Sequence, residues 1–210
     1  MKKDIIIFLD IDGVLDSYNW FKNPIRRLFT NYRTEVASYI DRRNLFWVSL
    51  LCRITKAKIV LSSSWRHGWN TDGTIRVDNK GRSVVKTDKL FKSWGLHIIS
   101  ITPNSSDLKN TYETDLSNVP EESLLIKGPD DDEPLISKEA YLSYARGGEI
   151  LTWIEQNNYT GKYLILEDDV TDVECFVDLR KHLIKTSFYE KLGGFGFRHL
   201  IKSFIKLINQ

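Results

Sequence analysis

The sequence predicts an α/β architecture built on a parallel sheet, and three observations carry that expectation. Three short apolar runs each end in polar residues: Ile5-Ile6-Ile7-Phe8-Leu9 before Asp10, Lys58-Ile59-Val60-Leu61 before Ser62-Ser63-Ser64, and Tyr163-Leu164-Ile165-Leu166 before Glu167-Asp168-Asp169. Such unbroken runs read as strands buried on both faces. Helical spacing recurs in Ile150, Trp153 and Ile154, and again in Leu200, Ile201, Phe204, Ile205 and Ile208. Strands alternating with helices give a parallel sheet covered on both sides. Ligands of such sheets bind beyond the carboxyl ends of the strands, where all three polar clusters fall.

The 210 residues, 41% of them apolar and 28% charged, suit one folded domain over 1–210. Less regular stretches at about 17–44, 67–88 and 103–137 are expected to be small insertions. The first mixes Trp20, Phe21, Arg26, Arg27, Tyr32 and Arg33, the second carries Gly68, Asp72-Gly73 and Lys80-Gly81, and the third includes Asp130-Asp131-Asp132-Glu133. A net charge of +2 excludes a histone-like polycation, so partners are read from local clusters. Lys2, Lys3 and the apolar run after them imitate a signal peptide, but Asp4, Asp10 and Asp12 interrupt it. No stretch reaches the ~7–15 apolar residues of a secretory core or the ~20 of a membrane span. Cys52 and Cys175 have no Cys or His at zinc spacing, which fits a reducing, cytoplasmic location.

The chemistry concentrates in Asp10-Ile11-Asp12-Gly13-Val14-Leu15, two carboxylates at a strand end followed by glycine. Asp10 as nucleophile on phosphorus would split one hard displacement into two easier ones through a phosphoaspartate. Asp12 would protonate the leaving oxygen and later deprotonate water. A carboxylate approaching an anionic phosphate needs a cation, and oxygen donors suit Mg²⁺. Asp168 and Asp169 supply further candidate ligands beside Asp10 and Asp12. Gly13 permits a tight turn that aims backbone N–H groups at phosphate. Ser62, Ser63 and Ser64 fit either the cap of a helix starting near Trp65 or a phosphate contact, and one helix N-terminus can do both.

With these residues the chain resembles the haloacid dehalogenase superfamily of phosphotransferases, whose signature is an apolar strand followed by DxDG. The resemblance implies a three-layer Rossmann-like fold without a large cap. It also implies Asp10 as nucleophile, Asp12 as general acid and base, and Ser62 as phosphoryl ligand. Arg146 in Arg146-Gly147-Gly148-Glu149-Ile150 fits the third motif, with Lys138 as its alternative, and Asp168-Asp169 fits the fourth. The second Asp of the signature favours phosphoryl chemistry over dehalogenation. A narrower resemblance, through Leu61-Ser62-Ser63-Ser64-Trp65-Arg66, Arg146 to Trp153, Leu166 to Asp169, and the tail with Gly193-Gly194-Phe195, is to the phosphatase domain of Swiss Army Knife RNA repair proteins. Two features depart from it: Glu167 stands where that group usually has Asp, and 103–137 has no counterpart.

The expected activity is Mg²⁺-dependent phosphomonoester hydrolysis on nucleic-acid ends such as a 3′-phosphate, or on nucleotides. The alternatives are a small-molecule nucleotidase and a catalytically idle module that binds phosphate or nucleic acid. Intact Asp10 and Asp12 favour an enzyme. Arg66 suits a phosphate grip or a surface ion pair, and Asp172 either orients a ligand or caps a helix. The four histidines, His67, His97, His182 and His199, are read as structural. Between Arg180 and Lys206 seven Lys or Arg face one acid, Glu190, and Arg198, Lys202 and Lys206 recur every four residues. A solvated helix face explains this stripe first, nucleic-acid binding second and membrane-surface attraction third. No stable membrane association is expected.

Overall fold

The computed structural model describes residues 4–22, 39–76, 82–110, 112–119 and 138–210. Arg26, Arg27, Tyr32, Arg33, Lys80-Gly81 and the acidic run 130–133 lie outside them, as does the side chain of Lys138. Contacts divide the chain into two compact units. The first comprises Met1–Ile101, Thr160–Asp168 and Ile184–Gln210, and the second Thr102–Tyr159 and Asp169–Leu183.

A five-stranded parallel sheet in the order β3-β2-β1-β4-β5 carries the fold. Its strands are β1 (Ile6–Leu9), β2 (Lys58–Leu61), β3 (Ile98–Ile101), β4 (Tyr163–Glu167) and β5 (Leu183–Lys185). β1 is central and every residue in it is buried, as an unbroken apolar run requires when both faces are covered. Ile7, Leu9, Ile59, Leu61, Leu164 and Leu166 point into one core. They meet Leu45, Val48 and Leu51 of helix α2 (Arg42–Thr55) and Leu200 and Leu207 of the later helix Phe197–Ile208. On the other face Phe8 meets Tyr163 edge to face at 5.8 Å.

The helices preceding and following α2 in this unit are α1 (Tyr18–Lys22) and α3 (Arg82–Ser93). Asp41 caps α2 by accepting from the Arg43 N–H at 2.8 Å. Trp69 and Ile75 pair across a turn containing Asp72-Gly73, and Ser100 Oγ ties that turn to β3 by donating to the Thr71 carbonyl at 2.7 Å.

In the second unit, α4 (Lys138–Tyr144) packs against α5 (Arg146–Gln156). Glu155 of α5 accepts from Tyr112 Oη at 2.6 Å and Asn110 Nδ2 at 2.8 Å, fastening the preceding loop to the helix. The unit is completed by α6 (Thr171–Glu174) and a 3₁₀ turn at Val177–Leu179, and Arg180 is ion-paired to Asp115 at 2.8 Å. The last helix, α7 (Phe197–Ile208), returns to the first unit and packs on α2 and β4. Cys52 and Cys175 are both buried free thiols.

Candidate functional site

Strand register builds the site. Leu9 lies opposite Leu61 of β2 and Leu166 of β4. The next residue of each strand is Asp10, Ser62 or Glu167, so these three side chains emerge at one level of the sheet's carboxyl edge. Two backbone bonds hold the level: Ser62 N–H donates to the Leu9 carbonyl at 2.9 Å and Asp10 N–H to the Leu166 carbonyl at 3.0 Å.

Asp10, Glu167 and Asp168 each offer a carboxylate oxygen, and these oxygens lie within 4.8 Å of one another. Asp10 and Glu167 are buried. Three carboxylates held this closely repel one another in a poorly solvated pocket, which favours a cation between them. An all-oxygen donor set matches a hard ion such as Mg²⁺. Sequence reasoning placed Asp10 and Asp168 among the ligands but not Glu167. The side chain of Asp12 points elsewhere: both of its oxygens accept from Trp65 Nε1–H, at 3.1 and 3.2 Å. Asp169 falls in the second unit.

Gly13 adopts φ +68°, and a Cβ built on it would lie 2.0 Å from Asp168 Oδ2. Glycine is required twice over, for the left-handed backbone and for the room Asp168 occupies. The Gly13 N–H, expected to face phosphate, instead donates to Asp16 Oδ1 at 2.7 Å. The tail braces the same loop. Phe195 N–H donates to the Val14 carbonyl at 2.8 Å, and Asn44 Nδ2 donates to the Gly193 carbonyl at 3.2 Å. Gly194, at φ +79°, leaves no space for a side chain beside Asn44.

Ser62 Oγ is buried and has no hydrogen-bond partner among the described residues. Such an atom carries a desolvation cost that an anionic oxygen would relieve. Ser63 caps the 3₁₀ helix Ser64–Gly68, its side chain accepting from the Trp65 N–H at 3.4 Å. Arg66 is buried in that helix. Arg146 begins α5 in the second unit and is ion-paired to Glu149 at 3.2 Å. Asp172 accepts from Tyr141 Oη at 2.7 Å rather than capping α6, whose N-cap is Val170. His199 serves the last helix, its Nδ1 accepting from the Gly196 N–H at 3.0 Å, and burial pushes its pKa down to about 4.

Asp16, which sequence reasoning passed over, is only 2% exposed, and burial is the main cause pushing its pKa up to about 7. The Gly13 N–H opposes the shift, while the charges of Asp12, Asp10 and Asp168 add to it. Because the folded pKa is raised, this group's stability contribution is full below the unfolded pKa near 4 and fades as pH rises through 7. Asn keeps an oxygen for the Gly13 N–H and carries no charge. Asp16→Asn in metal-free protein is therefore expected to melt above the parent near pH 8 and level with it near pH 4, a difference of at most about 4 kcal/mol. Thermal denaturation across that range measures it, and equal curves at both ends would contradict the buried-charge account.

A family model described as the HAD domain in Swiss Army Knife RNA repair proteins matches residues 6–193. No curated protein and no solved structure matches the chain. The match runs from β1 to the Gly193 that Asn44 holds. It spans the DxDG strand, the serine strand end and the acidic strand end that the register draws together. The chain thus belongs to the HAD domain family of Swiss Army Knife RNA repair proteins, a family of phosphatase-type hydrolases.

Proposed function

We propose that the chain is a Mg²⁺-dependent phosphomonoester hydrolase working through a phosphoaspartate on Asp10. The observation that carries this reading is the alignment of Asp10, Ser62 and Glu167 at one level of the sheet edge, with Asp168 completing a carboxylate trio. In the first step an Asp10 carboxylate oxygen forms a bond to phosphorus as the bond to the leaving oxygen breaks, and Asp12 gives that oxygen its proton. In the second, water attacks phosphorus and passes a proton to Asp12. The acyl–phosphate bond then breaks, releasing phosphate and restoring Asp10.

Ser62 Oγ donates to a phosphoryl oxygen, which supplies its missing partner. Ser63 holds the turn that presents Ser62, Gly13 makes room for Asp168, and Arg146 is the cation assigned to the family's third motif. Asp10, Glu167, Asp168 and the Asp12 carbonyl would hold Mg²⁺, and Asp169 is the remaining ligand suggested by the sequence. The ion supplies positive charge against which an anionic nucleophile can approach an anionic phosphate.

Trp65 is a positioning residue in this scheme, because its indole N–H fixes the acid that must face the leaving oxygen. Trp65→Phe is expected to slow hydrolysis of alkyl phosphates by about tenfold while sparing aryl phosphates, whose good leaving groups need little protonation. Equal slowing of both would leave Trp65 a structural residue.

The proposed substrates are nucleic-acid ends, supported by the family's description. The test is phosphate release, with and without Mg²⁺, from 3′- and 5′-phosphorylated oligonucleotides, mononucleotides and an aryl phosphate. Preference for a 3′-phosphorylated oligonucleotide, with KM rising steeply with salt, supports the polynucleotide reading. Preference for mononucleotides with little salt response replaces it with a nucleotidase. Absence of release from every substrate overturns hydrolysis.

A further inference from the structure

The last helix presents three bands rather than two. His199, Leu200, Ser203 and Leu207 face the interior. Phe197, Ile201, Ile205 and Ile208 form a second row spaced by four, four and three, and this row is exposed, from 44% at Ile201 to 78% at Ile208. Arg198, Lys202 and Lys206 form a third row beside it. The sequence pattern gave the helix a single apolar side for the core; the structure shows a second apolar band left in solvent.

Helix α2, packed against α7, continues that face. Phe46 and Ile54 are exposed, Trp47 is half-buried and meets Phe197 at 5.5 Å between ring centroids, and Arg42, Arg43 and Arg53 are exposed among them. Neither helix contains an acidic residue. Arg43 pairs with Asp41 and Arg198 with Glu190, acids just outside the helices. The Arg198–Glu190 pair is exposed on both sides, and such pairs are weak and readily exchanged for another anion, whereas Asp41 is buried at the α2 cap.

We propose that the α2–α7 face docks reversibly on an anionic lipid bilayer. The apolar band runs the length of α7, roughly 18 Å at 1.5 Å per residue, with the basic band beside it from Arg198 to Lys206. A bilayer surface offers that same layering, an acyl boundary for Phe197, Ile201, Ile205 and Ile208 beneath a sheet of anionic headgroups for the cations. Aromatic residues such as Trp47 and Phe46 suit the interface level.

Two other occupants fit less well. A second copy docked by two-fold symmetry would bring the cations of one face against those of the other. A nucleic-acid backbone would engage the cations but leave the isoleucines without a partner. No helix among the described residues is long and apolar enough to cross a membrane, so the association is peripheral.

The test is co-sedimentation of the whole chain with vesicles of phosphatidylcholine alone and of phosphatidylcholine mixed with phosphatidylglycerol. The expected result is partition to the mixed vesicles only, weakening as salt rises. The double variant Ile201→Glu, Ile205→Glu should weaken it by at least about tenfold. Lys202→Gln should weaken it about fivefold. All three positions are surface positions outside the proposed catalytic residues, so circular dichroism and phosphate release should stay unchanged. Failure of the parent to partition, or equal partition of the double variant, overturns the proposal. Retention of single-stranded RNA that the isoleucine variant loses would reassign the face to nucleic acid. A concentration-dependent dimer that the variant abolishes would reassign it to a second copy.

Discussion

Asp10→Asn is expected to release phosphate more slowly than the parent by a factor on the order of 10⁴ or more, with a melting temperature that is unchanged or higher. The two halves of this expectation share one cause. Asp10 is buried in a group of three carboxylates, so its charge is unfavourable for the metal-free fold and essential for attack on phosphorus. Asparagine keeps the shape and removes both the repulsion and the nucleophile. Phosphate release and thermal melting of the same preparation separate the effects. A variant that loses activity and also melts much lower would indicate that Asp10 holds the strand end together.

Gly13→Ala is the second large effect, and it works through a neighbour. A Cβ at that position would sit 2.0 Å from Asp168 Oδ2 and 2.1 Å from its Cγ, distances at which one group must move. The left-handed backbone adds roughly 1–2 kcal/mol against any side chain. Asp168 swings out of the trio or the loop bearing Asp12 shifts, and displacement of about 1 Å at such a site costs on the order of 10² in rate. Half-saturating Mg²⁺ should rise with it. Because both changes act on one carboxylate, Gly13→Ala and Asp168→Asn should combine far less than additively. Unchanged metal dependence in Gly13→Ala would show that Asp168 is not a ligand.

The central strands were legible in the sequence because continuous apolar runs with polar ends have few other readings, and the family match supports the resemblance those runs and motifs carried. β3 and β5 were not singled out. Every residue of β3 is only half-buried and β5 is three residues long, so neither leaves a strong pattern. At the candidate site, Asp10, Ser62 and Asp168 directly follow β1, β2 and β4.

Three features needed the fold. Glu167 joins the carboxylates because of its level in the β1–β4 register. Trp65 reaches Asp12 across 53 positions of sequence. Asp16 reads as an ordinary loop acid until its burial is known. The basic row of the last helix was visible as spacing, whereas the exposed apolar row beside it was not, since sequence cannot say which of two apolar rows faces the core.

The most direct test of the central claim is acid quenching of the parent chain during turnover of an aryl phosphate with Mg²⁺, followed by peptide mass analysis. The account predicts one phosphoryl group on the peptide containing Asp10, removed by hydroxylamine as acyl phosphates are, and absent from Asp10→Asn. Phosphate release by Asp10→Asn at the parent's rate, with no phosphoryl group on Asp10 in either chain, would contradict it.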